Sequence, residues 1–174
     1  MIEFLKVLVS YFNENKIRYM LSGSVAMSIY ALPGFTRDFN FIVHLQPKDI
    51  PGLLEQFKDN YYCDEDAVKE AIANKGMFNI IDHKSSYKAD FIILKNEPYR
   101  LVEFERRKPI SFLDMEIFLV SPEDLLISKL SWFQQSKSAL QIEDIKALAS
   151  INTLERDYIN KWVLSLKLNT FNII

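Results

Sequence analysis

A single cysteine, two histidines, four glycines and six prolines are spread over 174 residues. One cysteine excludes a disulfide framework and any Cys-rich zinc site, and it fits a reducing compartment. In "NYYCDEDA" the acids around Cys63 are expected to raise its pKa, so a catalytic thiolate is not expected there. The scarcity of Gly and Pro, set against thirteen Phe and eight Tyr, excludes disordered and low-complexity classes. Apolar runs of membrane length are lacking as well. The opening "MIEFLKVLVSYFNENK" is interrupted by Glu3, Lys6, Glu14 and Lys16, and it has no signal-peptide cleavage pattern, so the expected location is the cytoplasm. A net charge of −2 supplies no overall attraction to nucleic acid or membrane, and any basic surface has to be local. His44 and His83 lie too far apart in sequence to form a motif.

With 49% apolar and 25% charged residues, the chain reads as one globular domain able to bury its own core. Apolar positions Phe4, Leu5, Leu8, Val9 and Phe12 predict a helix over 3–14. A strand is expected at 17–23 and a helix at 24–32 closed by Pro33-Gly34. "DFNFIVHL" (38–45) alternates, with Phe39, Phe41 and Val43 on one face and Asp38, Asn40 and Ile42 on the other. Helices follow at 47–60 and 65–74, then a hairpin of strands 77–83 and 87–95 joined by "KSS". Residues 98–107 read as a short helix or an irregular basic segment, and 115–121 as a strand. Helices at Pro122–Gln134, Leu140–Ser150 and Leu154–Leu166 complete the chain. The fold class is α/β: a small mixed sheet flanked by helices over 1–120, with a helical part over 121–174 packed on it as one unit.

Four sets of residues carry possible chemistry. Gly23-Ser24 opens a helix, where free backbone N–H groups bind phosphate; the bland alternative makes Ser24 a simple N-cap, and on so short a motif that alternative is favoured. Asp38 and Asn40, at i and i+2 of one strand, project to the same side and can share an oxygen-ligated ion such as magnesium. Against this, they are simply a solvated strand face. Asp90 enters an apolar run in "YKADFIIL", so it lies either at an exposed strand end or beside a partner charge. Lys129 and Asp144 each interrupt an apolar helix stripe, formed by Leu125, Leu126, Leu130 and Phe133 in one case and by Leu140, Ile145 and Leu148 in the other. They either pair with each other or face a ligand.

The stretches "LSGSVAMSIYALPGFTRDFNFIV", "FNIIDHKSSYKADFIIL" and "FLVSPEDLLISKLSWFQQSKSALQIEDIKAL" together resemble the nucleotidyltransferase fold of the polymerase-β type. More narrowly they look like the small bacterial AbiEii-like toxin nucleotidyltransferases. The resemblance implies that Gly23 and Ser24 hold the β- and γ-phosphates of an NTP. It implies that Asp38 and Asn40 occupy the first two metal-ligand places, and that Asp90 is the third ligand and the base toward the acceptor. Lys129 would contact the triphosphate, with Asp144 beside it. The implied cofactors are Mg2+ or Mn2+. The implied partners are an NTP, an RNA end such as tRNA or a protein hydroxyl as acceptor, and a cognate antitoxin.

Two departures qualify this. Gly34 stands where relatives carry an Arg before the Thr, here Thr36, and only Arg37 is nearby. Asn40 replaces an expected acid and removes a negative charge from a site meant for two divalent ions. It is compatible with a silent relative, with an enzyme whose metal site is weakened, and with an Asp exchanged for its isostere. Arg100, Arg106, Arg107 and Lys108 with Tyr99 and Phe104 form either a local RNA-facing patch or a solvated helix. The expectation is a metal-dependent nucleotidyltransferase of a toxin–antitoxin or phage-defence system; the alternative is a catalytically silent nucleotide-sensing or partner-binding module.

Overall fold

The computed structural model describes residues 2–32, 34, 37–112, 114–136 and 138–174. Pro33 and Thr36, which entered the sequence reading, lie outside the described residues. The elements are α1 (Ile2–Glu14), β1 (Tyr19–Ser22), α2 (Gly23–Tyr30), β2 (Asp38–Val43), a 3-10 turn (Pro47–Asp49), α3 (Ile50–Gln56), β3 (Tyr61–Cys63), α4 (Glu65–Asn74), β4 (Met77–Asp82), β5 (Lys88–Ile93), α5 (Pro98–Glu105), β6 (Lys108–Phe112), β7 (Met115–Leu119), α6 (Pro122–Gln135), α7 (Ala139–Ala149) and α8 (Arg156–Ser165). The sheet is mixed and ordered β3-β4-β5-β2-β1-β7-β6. Strand β2 runs parallel to β5, and β1 parallel to β7, while the other neighbours are antiparallel.

One sheet face is the core. Phe39, Phe41, Phe78, Ile80, Ala89, Phe91 and Ile93 are buried there, under the stripe of α1. Phe12 lies 5.7 Å, ring centre to ring centre, from both Phe41 and Phe91, and Phe4 lies 6.0 Å from Phe39. Such edge and stacked contacts add specificity to the apolar burial. The alternation that buries these residues turns Asp38, Asn40, Lys88, Asp90 and Asn79 to the opposite face, which is only partly covered.

Helix starts follow local capping chemistry. Asp64 accepts from the Ala67 N–H at 2.7 Å at the start of α4, and Ser121 accepts from the Asp124 N–H at 3.1 Å before Pro122 of α6.

Several expectations are corrected. The helix expected over 47–60 is a 3-10 turn followed by α3, ending at Gln56. Pro51 has no N–H to continue the ladder from Pro47. Strands β3 and β6 were not expected: β3 has three residues, and β6 begins Lys108-Pro109 at the sheet edge, where Pro is tolerated. Residues 98–105 form helix α5. Leu140, assigned to a buried stripe, is 68% exposed, because it lies in the first turn of α7.

The basic segment does not face outward as a patch. Arg100 donates to Glu103 at 2.7 Å and to Ser128 at 2.9 Å. Arg106 reaches Asp124 at 3.3 Å and Glu155 at 2.7 Å, and lies 3.9 Å over the Tyr158 ring. Arg107 stacks 4.4 Å over Phe104. Tyr99 and Phe104 are themselves buried. Only Lys108 keeps an exposed position. The buried acids Glu103, Glu123 and Asp124 need these cations more than a partner would, since an uncompensated buried charge is costly. The network ties α5 to α6 and α8. Among the described residues no helix is long and apolar enough to cross a membrane.

Candidate functional site

Register places four polar residues in one line across the sheet. Ser22 of β1 is opposite Asn40 of β2, Asn40 is opposite Asp90 of β5, and Asp90 is opposite Asn79 of β4. Cross-strand partners project from the same face, so this is a continuous polar row. Two residues back along β2 and β5, Asp38 is opposite Lys88, and two residues forward Ile42 is opposite Ile92, which is opposite Met77. A charged line and an apolar line thus flank the polar row.

The row ends at the N-terminus of α2. Gly23 begins that helix with φ +66, and Ser22 is the N-cap residue without a side-chain cap bond. The capping reading of Ser24 is therefore corrected: Ser24 sits one residue inside the helix, and its side chain is exposed. A Cβ at position 23 would meet Asn40 Nδ2 at 2.6 Å. Glycine suits both the positive backbone angle and the close approach of Asn40, which a side chain would have to displace.

Asp90 is held inside by a partner charge. Lys88 Nζ lies 3.0 Å from Asp90 Oδ2, with the two side chains 35% and 13% exposed. Asp90 Oδ1 is buried with no hydrogen-bond partner. The hydrogen bond to Asp90 raises the pKa of Lys88, and the Asp38 charge across the register adds to it. Lys88 was missed in the sequence; its signal was its position two residues before Asp90 on the same strand.

The metal-ligand set implied by the resemblance can be tested on these groups. Asp38, Asn40 and Asp90 do share a face. Among the described residues, no group of three or more His, Cys, Asp or Glu side chains is placed to share an ion. The charged side chains of the Asp38–Lys88 and Asn40–Asp90 lines are two carboxylates and one ammonium, and the ammonium is bonded to one of the carboxylates. A resident pair of divalent ions needs several anionic oxygens, so these residues do not fit that cluster.

Lys129 and Asp144 pair with each other at 2.6 Å, each side chain 17% exposed. This bond joins α6 to α7, and both helices touch α2. Surface hollows of about 490 and 390 Å3 lie against α3 and α4, and no residue of the polar row lines them. The row is a partly buried sheet face beside a helix N-terminus.

No protein-family model matches the sequence, and no curated protein matches it significantly. Solved structures do match. An antigenic nucleotidyltransferase-like protein from Paracoccidioides brasiliensis aligns with a TM-score of 0.54 at 15% identity, over 92% of this chain and 85% of that one. The antibiotic-resistance factor ANT(2'')-Ia aligns at 0.60 and 9% identity, over 94% and 89%. The lincosamide antibiotic adenylyltransferase LnuA, in its lincomycin-bound structure, aligns at 0.50 and 14%, over 85% and 96%. At these identities the likeness is one of architecture, and it extends over most of both chains: the protein has the nucleotidyltransferase fold.

Proposed function

We propose that this chain binds a nucleoside triphosphate where the polar row meets the start of α2, and transfers its nucleoside monophosphate to an acceptor hydroxyl. The observation that carries the reading is the in-register line Ser22–Asn40–Asp90–Asn79 ending at Gly23. Gly23 and Ser24 offer backbone and hydroxyl donors to the β- and γ-phosphates. Asp38 and Asn40 orient the reacting phosphate and its counter-ion. Lys129 is the further cation for the triphosphate tail, with Asp144 positioning it. Mg2+ or Mn2+ enters with the nucleotide, as part of the substrate.

The acceptor oxygen attacks the α-phosphorus, the bond from that phosphorus to the β-bridging oxygen breaks, and pyrophosphate leaves with the electron pair. The acceptor proton passes to Asp90, whose buried Oδ1 has no partner in the structure. The AbiEii-like resemblance favours an RNA end such as tRNA, or a protein hydroxyl, within a toxin–antitoxin or phage-defence setting with a cognate antitoxin. Two fold neighbours are named for antibiotics, one of them an adenylyltransferase, which makes a small-molecule alcohol a third acceptor class to include in assays.

A second reading has its own observation. The neutral Asn40 and the Lys88–Asp90 bond leave little anionic charge, as in a module that binds nucleotide without turning it over. Label transfer from α-phosphate-labelled NTPs to RNA, protein and lincosamide or other antibiotic acceptors separates the two, with the unaltered chain compared with Asn40→Asp. Labelled product that disappears on Asp90→Asn supports transfer. Nucleotide binding without product from either chain supports the silent module, and absence of binding refutes both.

A further inference from the structure

We propose that Lys88 is a built-in cation that takes the place of a resident divalent ion between Asp38 and Asp90. Three observations converge on it. Lys88 stands opposite Asp38 in the β2–β5 register, and its ammonium is 3.0 Å from Asp90 Oδ2. The bonded carboxylate is mostly buried, with its second oxygen without a partner, so this is not a solvated pair of the kind that contributes little. The remaining members of the row, Ser22, Asn40 and Asn79, are neutral, so the charge balance of the row and the line behind it is set by two acids and one lysine.

An ammonium is a compact point charge with three donors. Bonded to Asp90 and near the Asp38 charge, it offsets part of the negative charge that a divalent ion otherwise meets, and it blocks approach of that ion to Asp90 Oδ2. Asn40 fits the same logic: two carboxylates already leave one negative charge beyond a single ammonium, and an acid at position 40 would raise that excess to two, whereas an amide does not. The assignment also explains why a lysine with a four-carbon stem lies along the strand toward Asp90 instead of extending into water. It rests on the nucleotide-site reading only for what the ammonium faces during binding; the exclusion of the ion stands on geometry alone.

The test is titration of Mn2+ into nucleotide-free protein, with free ion followed by electron paramagnetic resonance. The chains compared are the wild type, Lys88→Met, Lys88→Arg and the double variant Lys88→Met/Asp90→Asn, each shown to be folded by its melting curve. Weak binding is expected for the wild type and Lys88→Arg. Lys88→Met should bind at least about tenfold tighter, equal to about 1.4 kcal/mol, and the added Asp90→Asn should abolish the gain. Tight saturable Mn2+ binding by the wild type overturns the proposal without any variant, as does a gain that survives Asp90→Asn. A parallel titration with magnesium-loaded ATP keeps the two ideas apart: failure of that complex to bind any chain refutes the nucleotide site, while the Mn2+ series still decides the role of Lys88.

Discussion

The amide Nδ2 of Asn40 lies 2.6 Å from where a Cβ on Gly23 would stand, so β2 and the first turn of α2 meet at a point where any side chain must displace Asn40. Gly23→Ala is expected to cost about 1–2 kcal/mol from the positive φ alone, and more from the collision. Adding Asn40→Ala removes the atom the methyl would strike. The double variant should recover part of the loss, with a coupling of about 0.5–3 kcal/mol by urea denaturation. Strictly additive losses would show that the two residues do not constrain one another.

The Lys129–Asp144 bond resolves one ambiguity of the sequence in favour of pairing. Asp144→Ala leaves a mostly buried ammonium without its acceptor and should lower stability by about 2 kcal/mol. Lys129→Met/Asp144→Leu removes both charges and should regain most of that loss. If Lys129 also serves the triphosphate, the double variant will be folded yet bind ATP measurably more weakly. Unchanged ATP affinity would make the pair purely structural.

Asp124 is fully buried and accepts from Ser121 Oγ at 2.6 Å, Tyr158 at 2.6 Å, Tyr99 at 3.2 Å and Arg106 at 3.3 Å. Burial and neighbouring acids push the Tyr99 and Tyr158 phenols far up, which keeps them as donors. Arg106→Met should cost about 3–5 kcal/mol, because Asp124 and Glu123 are left buried without their cation. Tyr158→Phe, which loses one donor, should cost about 1 kcal/mol. Equal losses for the two, measured by denaturant midpoint at constant slope, would contradict this ranking.

Burial, with the Asp64 charge second, raises the Cys63 thiol from 9.0 to about 11. A thiol held that high carries about a hundredfold less thiolate near neutrality than an ordinary one. Iodoacetamide at pH 8 should therefore alkylate the native chain about a hundredfold more slowly than the urea-unfolded chain. The native rate should climb as pH approaches 11. Fast labelling at pH 8 would show that the thiol is open and activated.

Much of this was written in local pattern. The period-two alternation of "DFNFIV" already separated Phe39 and Phe41 from Asp38 and Asn40, because successive strand residues must face opposite sides. The apolar stripe of α1 and the buried positions of α6 were legible for the same reason. Short edge strands were not: "YYC" and "KPISF" have too few residues for a period, and their pairing partners supply what their own sequence does not. The arginines in and just after α5 misled for a related reason. Charge in a sequence points to solvent until the acids that face it are placed, and Glu123, Asp124 and Glu155 are remote in the chain.

The sequence by itself singled out Gly23, Ser24, Asp38, Asn40, Asp90, Lys129 and Asp144 as candidates, and it placed Asp38 and Asn40 on one strand face, since that follows from backbone periodicity. Tertiary structure decided what those residues meet. Register set Ser22, Asn40, Asp90 and Asn79 in one row, packing brought Asn40 against Gly23, and the reach of one side chain put Lys88 on Asp90. Contacts between strands and helices depend on alignments that no single segment encodes, and at this site they decide which charges are left to meet a ligand.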